Sequence, residues 1–157
     1  MSADTIFLND LRGQPHEVAV DAEDMHLITC HTWRVHRGGY VVRLAGGKSI
    51  FLHRVLMSPA PGLIVDHING DKLDNRRCNL RVCTNAENSK NQRLSVNNTS
   101  GFKGVRRNSV CGKWEAIIKN NGEQRYLGMF EDPRVAAHAY NRAAIELHGE
   151  FARLNPL

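Results

Sequence analysis

Cysteine is scarce and badly spaced for metal work: the four in 157 residues, Cys30, Cys78, Cys83 and Cys111, make no Cys-x-x-Cys pair. That argues against a structural zinc module and for ordinary reduced thiols. No apolar run approaches twenty residues, so no membrane span is expected. The opening Met1-Ser2-Ala3-Asp4-Thr5 has no basic segment before an apolar one and does not read as a secretion signal, which leaves a cytoplasmic protein as the expectation. The length allows one ordinary domain or two small ones with modest cores.

Charge is present but unevenly placed. Residues 1–60 hold six Lys/Arg and six Asp/Glu, whereas residues 97–130 hold six Lys/Arg against two acids, and most of the chain's net +5 lies there. A local cationic face is either solvated surface or the footprint of a polyanion, whose phosphates release counterions when neutralised.

The chemistry concentrates between Asp66 and Asn88. The apolar run Gly62-Leu63-Ile64-Val65 ends in Asp66-His67, the polar loop Ile68-Asn69-Gly70-Asp71 follows, and Leu80-Arg81-Val82-Cys83 reads as a return strand. Neighbours on a strand point to opposite sides, so Asp66 and His67 need separate tasks. A carboxylate is a hard ligand suited to magnesium or manganese, and a neutral imidazole suits general-base work. Thr84-Asn85-Ala86-Glu87 has the capping-box pattern, which puts Asn88 in the first turn of a helix, where its side-chain oxygen could join Asp66 on a cation. Asn79 is placed to hold one tautomer of His67. The same residues also suit a plain polar turn, and Asn75 either touches the site or satisfies loop backbone.

At Asp66-His67, Asp74-Asn75-Arg76, Asn79-Leu80 and Glu87-Asn88 the stretch resembles the HNH endonucleases, in the Asp-His/Asn variant found among phage and homing-type enzymes. Leu52-His53-Arg54 is similar to the family's flanking signature. The resemblance implies a ββα-metal site that cuts phosphodiesters, with Asp66 and Asn88 on one Mg2+ or Mn2+, His67 as base and Asn79 orienting it. His53 then either approaches the phosphate or serves structurally at a helix start. The reading requires the His67 imidazole to be open to solvent and to a DNA backbone.

Before this stretch, Trp33–His36, Tyr40–Leu44 and Lys48–Leu52 alternate with glycine pairs and read as a small antiparallel sheet, followed by a short helix over His53–Met57. After it, residues 95–100 are polar and read as a linker. Beyond the linker, Gly104–Arg107, Lys113–Lys119 and Arg125–Phe130 read as three strands. A helix follows with Asp132 as N-cap, Pro133 in its first turn and Gly149 as a left-handed stop. Trp114, Ala116 and Ile118 should pack on that helix, leaving Glu115, Ile117 and Lys119 exposed.

Gly101-Phe102-Lys103-Gly104-Val105-Arg106, Gly112-Lys113-Trp114, Tyr126-Leu127-Gly128-Met129-Phe130, the alanine-rich helix and Leu154-Asn155 resemble the apetala-two/ethylene-response-factor DNA-binding domain. That implies a sheet entering the major groove of double-stranded DNA. Arg106 and Lys119 become base-edge or phosphate candidates, Lys103, Arg107, Lys113 and Arg125 phosphate contacts, and Gln124 and Tyr126 further contacts. The expectation is an α+β protein with N-terminal strands and a nuclease domain over residues 1–94, a linker over 95–100 and a DNA-binding domain over 101–157. It would act in a bacterial or phage-infected cell, with no membrane and no obligatory protein partner evident. A non-cutting DNA-binding regulator is the alternative.

Overall fold

The computed structural model describes residues 3–157 and divides into two compact units, Met1–Asn85 and Ala86–Leu157. In the first unit a hairpin pairs β1 (Ala3–Asn9) with β2 (Pro15–Asp21). The turn of this hairpin is set by Asp10, whose carboxylate accepts from the backbone N–H groups of Arg12 and Gln14. After the short helix α1 (Met25–Thr29), strands β3 (Arg34–Val35), β4 (Val41–Ala45) and β5 (Lys48–Phe51) form an antiparallel sheet in that order. Helix α2 (Leu52–Met57) ends at Ser58, in the left-handed region at φ 42°. The β6 (Ile64–His67) and β7 (Leu80–Cys83) hairpin follows.

Alternation on β2 sends Val18 and Val20 inward, where they meet Ile28, Trp33, Val35, Val41, Leu52, Leu56, Val65 and Leu80. This core grips the long loop between β6 and β7 through backbone: Ala19 donates to the Leu73 carbonyl and accepts from the Asn75 N–H. Arg77 fastens the loop's far end. Its backbone N–H donates to Asp21, its guanidinium donates twice to Asp24 at 2.8 Å, and a further N–H reaches the Leu56 carbonyl. Asp24 is only 3% exposed. Arg77→Ala would strand that carboxylate. Losing one partner of a fully buried pair costs roughly 3–5 kcal/mol. Because the Arg77 side chain is 43% exposed, we expect about 2 kcal/mol in a thermal melt, with Asp24→Asn in the Arg77→Ala background recovering part of it.

The second unit opens with residues of α3 (Asn85–Lys90), the helix that starts two residues after β7. Its sheet runs β10-β9-β8, from β8 (Val105–Arg107), β9 (Trp114–Asn120) and β10 (Glu123–Phe130). Helix α4 (Pro133–His148) lies across one face, its N-terminus capped by the Asp132 carboxylate accepting from the Arg134 N–H. Small side chains allow the close approach: Ala136, Ala137, Ala143 and Ala144 are buried with Ala116, Ile118 and Tyr140. As expected from period two, Trp114, Ala116 and Ile118 face the helix. Gly149 ends α4 with a φ of 55° but a ψ of −131°, which is not the left-handed helical cap. The C-terminal Asn155 ties the unit shut, its amide bridging the backbone N–H and carbonyl of Lys103 while its own backbone pairs with the Asn141 amide.

Candidate functional site

Asp66 and His67 are the last two residues of β6, opposite Arg81 and Leu80 of β7. The cross-strand register therefore brings Arg81 to Asp66 on one face. Arg81 Nη2 and Nε donate to the carboxylate at 2.7 and 3.1 Å. A carboxylate at 8% exposure needs such a countercharge. Arg81 was not foreseen as part of this site, because no local pattern fixes which β7 residue stands across from Asp66.

His67 corrects an expectation. Its imidazole is not open to solvent: the residue is 4% exposed. The reason is the fold of the first unit. His53 in the first turn of α2 and Tyr40 just before β4 set their ring centroids 5.1 and 6.1 Å from that of His67. Burial pushes the His67 pKa down, partly offset by the Asn75 side chain and the carboxylates of Asp66, Asp71 and Asp74. His53 is also buried, at 6% exposure, rather than lying open toward a phosphate. Burial and the neighbouring His67 and Arg54 bring its pKa down to about 4.

Asn79 is the second correction. Both ends of its amide serve the loop: Oδ1 accepts from the Asn69 N–H and Nδ2 donates to the Asp74 carbonyl. It therefore shapes the turn that carries His67 and does not bond to the imidazole. The polar neighbour of His67 is Asn75, which is fully buried and also donates through Nδ2 to the Lys72 carbonyl. The Asp74 carboxylate, bonded by Arg76 and Asn69, braces the same loop, and Arg76 first of all holds its pKa below the usual carboxylate value. Asn88 is in α3 and half-buried.

Asp21, Glu23 and Asp24 also cluster, their oxygens within 4.8 Å of one another. Arg77 is the cation that this group serves.

In the second unit the face opposite α4 carries Arg106, Glu115, Ile117, Lys119, Gln124 and Tyr126. Gln124 pairs across from Lys119, and Tyr126, at 57% exposure, from Ile117. Arg106 is ion-paired with Glu115 at 2.7 Å. Four expected DNA contacts lie elsewhere. Arg125 stands opposite Ile118, hence on the α4 side, 3.5 Å from Glu146. Arg107 stands opposite Trp114, its guanidinium 6.0 Å from the ring centroid. Lys113 pairs with Glu131 at 2.6 Å. Lys103 is the clearest correction: its ammonium donates to the Lys90 and Gln92 carbonyls, and burial first, then Arg153, lowers its pKa to about 8. It holds chain against chain in place of a phosphate. The local sequence around Lys103 carries no sign of those two carbonyl partners.

An Asp-His pair closes one strand of the β6–β7 hairpin, and a braced polar loop follows it. This stretch lies within residues 57–90, which match the HNH endonuclease family. Along most of its length the chain is 32% identical to a protein named an uncharacterized HNH endonuclease from Acanthamoeba polyphaga mimivirus, over 93% of this chain and 78% of that protein. It is 36% identical to "Protein 3.8" of Escherichia phage T7, over 60% of this chain and 78% of that one. The chain belongs to the HNH endonuclease family and is a DNA endonuclease. A shorter likeness is to "APETALA2-like protein 2" of Oryza sativa, 39% identical over 66 residues, which is 42% of this chain and 15% of the plant protein.

Proposed function

We propose that this endonuclease hydrolyses phosphodiesters of double-stranded DNA with one divalent cation, magnesium or manganese, and that its C-terminal sheet holds the DNA. The observation that carries the reading is the adjacency of Asp66 and His67 at the end of β6, inside the segment that matches the family. HNH nucleases generally use a divalent metal. The residue types fit one: Asp66 is a hard carboxylate donor whose Oδ2 takes both Arg81 hydrogen bonds, which the ion would have to share or displace, and a side-chain amide is a compatible neutral oxygen ligand. Asp66 and Asn88 would hold the ion, with β6, β7 and α3 as the ββα-metal core. Bound there, it supplies Lewis-acid stabilisation of the charge that develops on the phosphate. His67, 4% exposed and with its proton affinity lowered by burial, is assigned the proton of the attacking water on the condition that its ring becomes reachable by that water when DNA is bound. Asn75 and Asn79 keep the loop and ring in place.

DNA-reading contacts fall to Arg106, Lys119, Gln124 and Tyr126, which share the sheet face away from α4. A two- or three-stranded sheet fits the width of the major groove. We assign residues 1–94 to the nuclease part, 95–100 to a linker and 101–157 to the DNA-binding part.

Supercoiled plasmid tests the reading. Magnesium or manganese should give nicked or linear product, and EDTA should suppress it. Plasmid that is retarded in a gel but stays intact with metal would overturn it in favour of a non-cutting DNA-binding regulator.

A further inference from the structure

In the second unit β8 stops short of its neighbour. It pairs with Trp114, Glu115 and Ala116, while β9 continues to Asn120 with β10 alone beside it. Past Ala116 the vacated edge is met by single contacts: the Ile117 N–H donates to the Gly104 carbonyl, and His148 Nε2 donates to the Lys119 carbonyl at 2.9 Å. A pocket of about 550 Å³ lies there, between this edge and the end of α3. Its volume falls in the range of small-molecule sites, roughly 300–1,000 Å³.

The lining is one-sided in charge. Lys90, Lys103, Arg106 and Lys119 contribute to it, and no Asp or Glu does. Arg106 is answered by Glu115, and the Lys103 ammonium spends two of its three N–H donors on the Lys90 and Gln92 carbonyls. Among the described residues Lys90 and Lys119 have no acidic partner. Burial lowers the pKa of His148, the Lys119 hydrogen bond opposes that, and the Lys90 and Lys103 cations lower it further, which puts both ammonium charges beside this wall. Like charges gathered on a concave surface repel one another and focus a positive field into the space. The remaining lining is different in kind: Val105 and Tyr140 are buried and Ile117 half-buried, and Gln124, across from Lys119, adds an amide that both donates and accepts. A bare anion would leave the apolar wall uncovered, and an uncharged ring would leave the lysines unanswered. A nucleotide carries both halves in one molecule. We propose that the pocket takes one phosphate-bearing nucleoside unit, its phosphate on Lys90 and Lys119 with Lys103 lending charge from its fixed place, and its base against Val105, Ile117 and Tyr140. The unit comes either from the free end of a DNA strand, in which case the inference rests on the reading that this sheet holds DNA, or from a free nucleotide, in which case it stands alone. Neither source depends on His67 or on the metal.

The full chain in EDTA, which withholds the proposed metal, is titrated by calorimetry with deoxyadenosine monophosphate, deoxyadenosine, inorganic phosphate, a short single-stranded oligonucleotide and a blunt duplex, while backbone amides are followed by NMR. The monophosphate, the oligonucleotide or both should bind and shift the amides of Gly104, Ile117 and Lys119. Deoxyadenosine and phosphate, each offering one half, should bind at least about 10-fold more weakly than the monophosphate. Lys90→Gln should raise Kd roughly 10- to 100-fold, the loss of one charge-assisted hydrogen bond. Lys90→Arg keeps the charge and should stay within about 5-fold of wild type. Lys48→Gln, at an exposed lysine of β5, should change nothing. Melting temperatures establish that each variant is folded, and the wild-type NMR arm needs no variant. Tighter binding of the oligonucleotide identifies the strand as the source, and tighter binding of the monophosphate identifies a free nucleotide. Phosphate binding as tightly as the monophosphate would overturn the nucleotide assignment. The pocket itself would be overturned if neither nucleotide probe binds, if Gly104 and Lys119 stay unmoved while other amides shift, or if a folded Lys90→Gln binds like wild type. A blunt duplex that fails to bind while the monophosphate still does would remove the DNA-holding reading and leave the pocket.

Discussion

His67→Ala is expected to abolish metal-dependent cleavage while leaving DNA affinity within about 2-fold, because the proposed DNA-holding face lies in a different compact unit. Loss of a general base removes roughly a hundred- to ten-thousand-fold. The side chain is buried, so truncation also leaves a cavity. His67→Phe serves as the control that refills it, and should be as inactive as the alanine variant even where its melting temperature recovers. His67 is buried, and the proposed proton transfer is separable from that packing. Cleavage by His67→Phe at wild-type rate would assign the residue to packing alone and move the base elsewhere.

Gly104→Ala is expected to unfold much of the second unit. Gly104 has a φ of +73°, and a Cβ built there would overlap the Tyr140 ring and come within 2.6 Å of the Ile117 carbonyl. That carbonyl belongs to the central strand, and the Ile117 N–H already donates to the Gly104 carbonyl at 2.8 Å. Tyr140 is 3% exposed and packs with Ile118, Ala143 and Ala144, so it has nowhere to move without opening the α4 interface. Overpacking of about 3 kcal/mol and a left-handed alanine of about 1 kcal/mol together suggest roughly 4 kcal/mol. Gly101→Ala is the matched control, since Gly101 has nearly the same φ, +75°, with nothing within 4 Å of the added atom. It should cost about 1 kcal/mol. Equal melting temperatures for the two variants would show that the Tyr140 contact does not matter. If the DNA-holding assignment is correct, Gly104→Ala also loses DNA affinity, while Gly101→Ala keeps it.

Much of the outline could be read along the chain because it rests on local physics. Asp132 before Pro133 marks a helix start wherever the chain goes afterwards. Alternation on β9 assigns Trp114, Ala116 and Ile118 to one face, and the alanines of α4 allow the helix to lie on it. Asp66-His67 ahead of a turn-rich loop, with a return strand and a capping box behind, already marked the candidate site.

Short strands are expected from residue 4 to residue 60, but the pairing of β1 with β2 is not legible along the chain. The turn residues of that hairpin, Leu11-Arg12-Gly13-Gln14, carry only one glycine, and the stabilising Asp10 carboxylate acts on backbone two and four residues away. Nor was Asn79 readable as a loop brace, since its partners Asn69 and Asp74 become neighbours only when the loop closes. Lys103 looked like any other lysine of a basic segment. Its capture by the Lys90 and Gln92 carbonyls comes from residues eleven and thirteen positions away.

The sequence by itself determined the chemistry on offer: a carboxylate beside an imidazole, amides spaced behind them, and cations gathered in the last third. These are properties of residue type and short-range periodicity, which the chain carries even unfolded. Tertiary structure alone decided how each group is employed. It set Arg81 against Asp66, buried His67 beside Tyr40 and His53, turned Arg125 to the helix side and drew Lys103 inward. Register, burial and long-range neighbours fix those roles, and they exist only once distant segments have packed together.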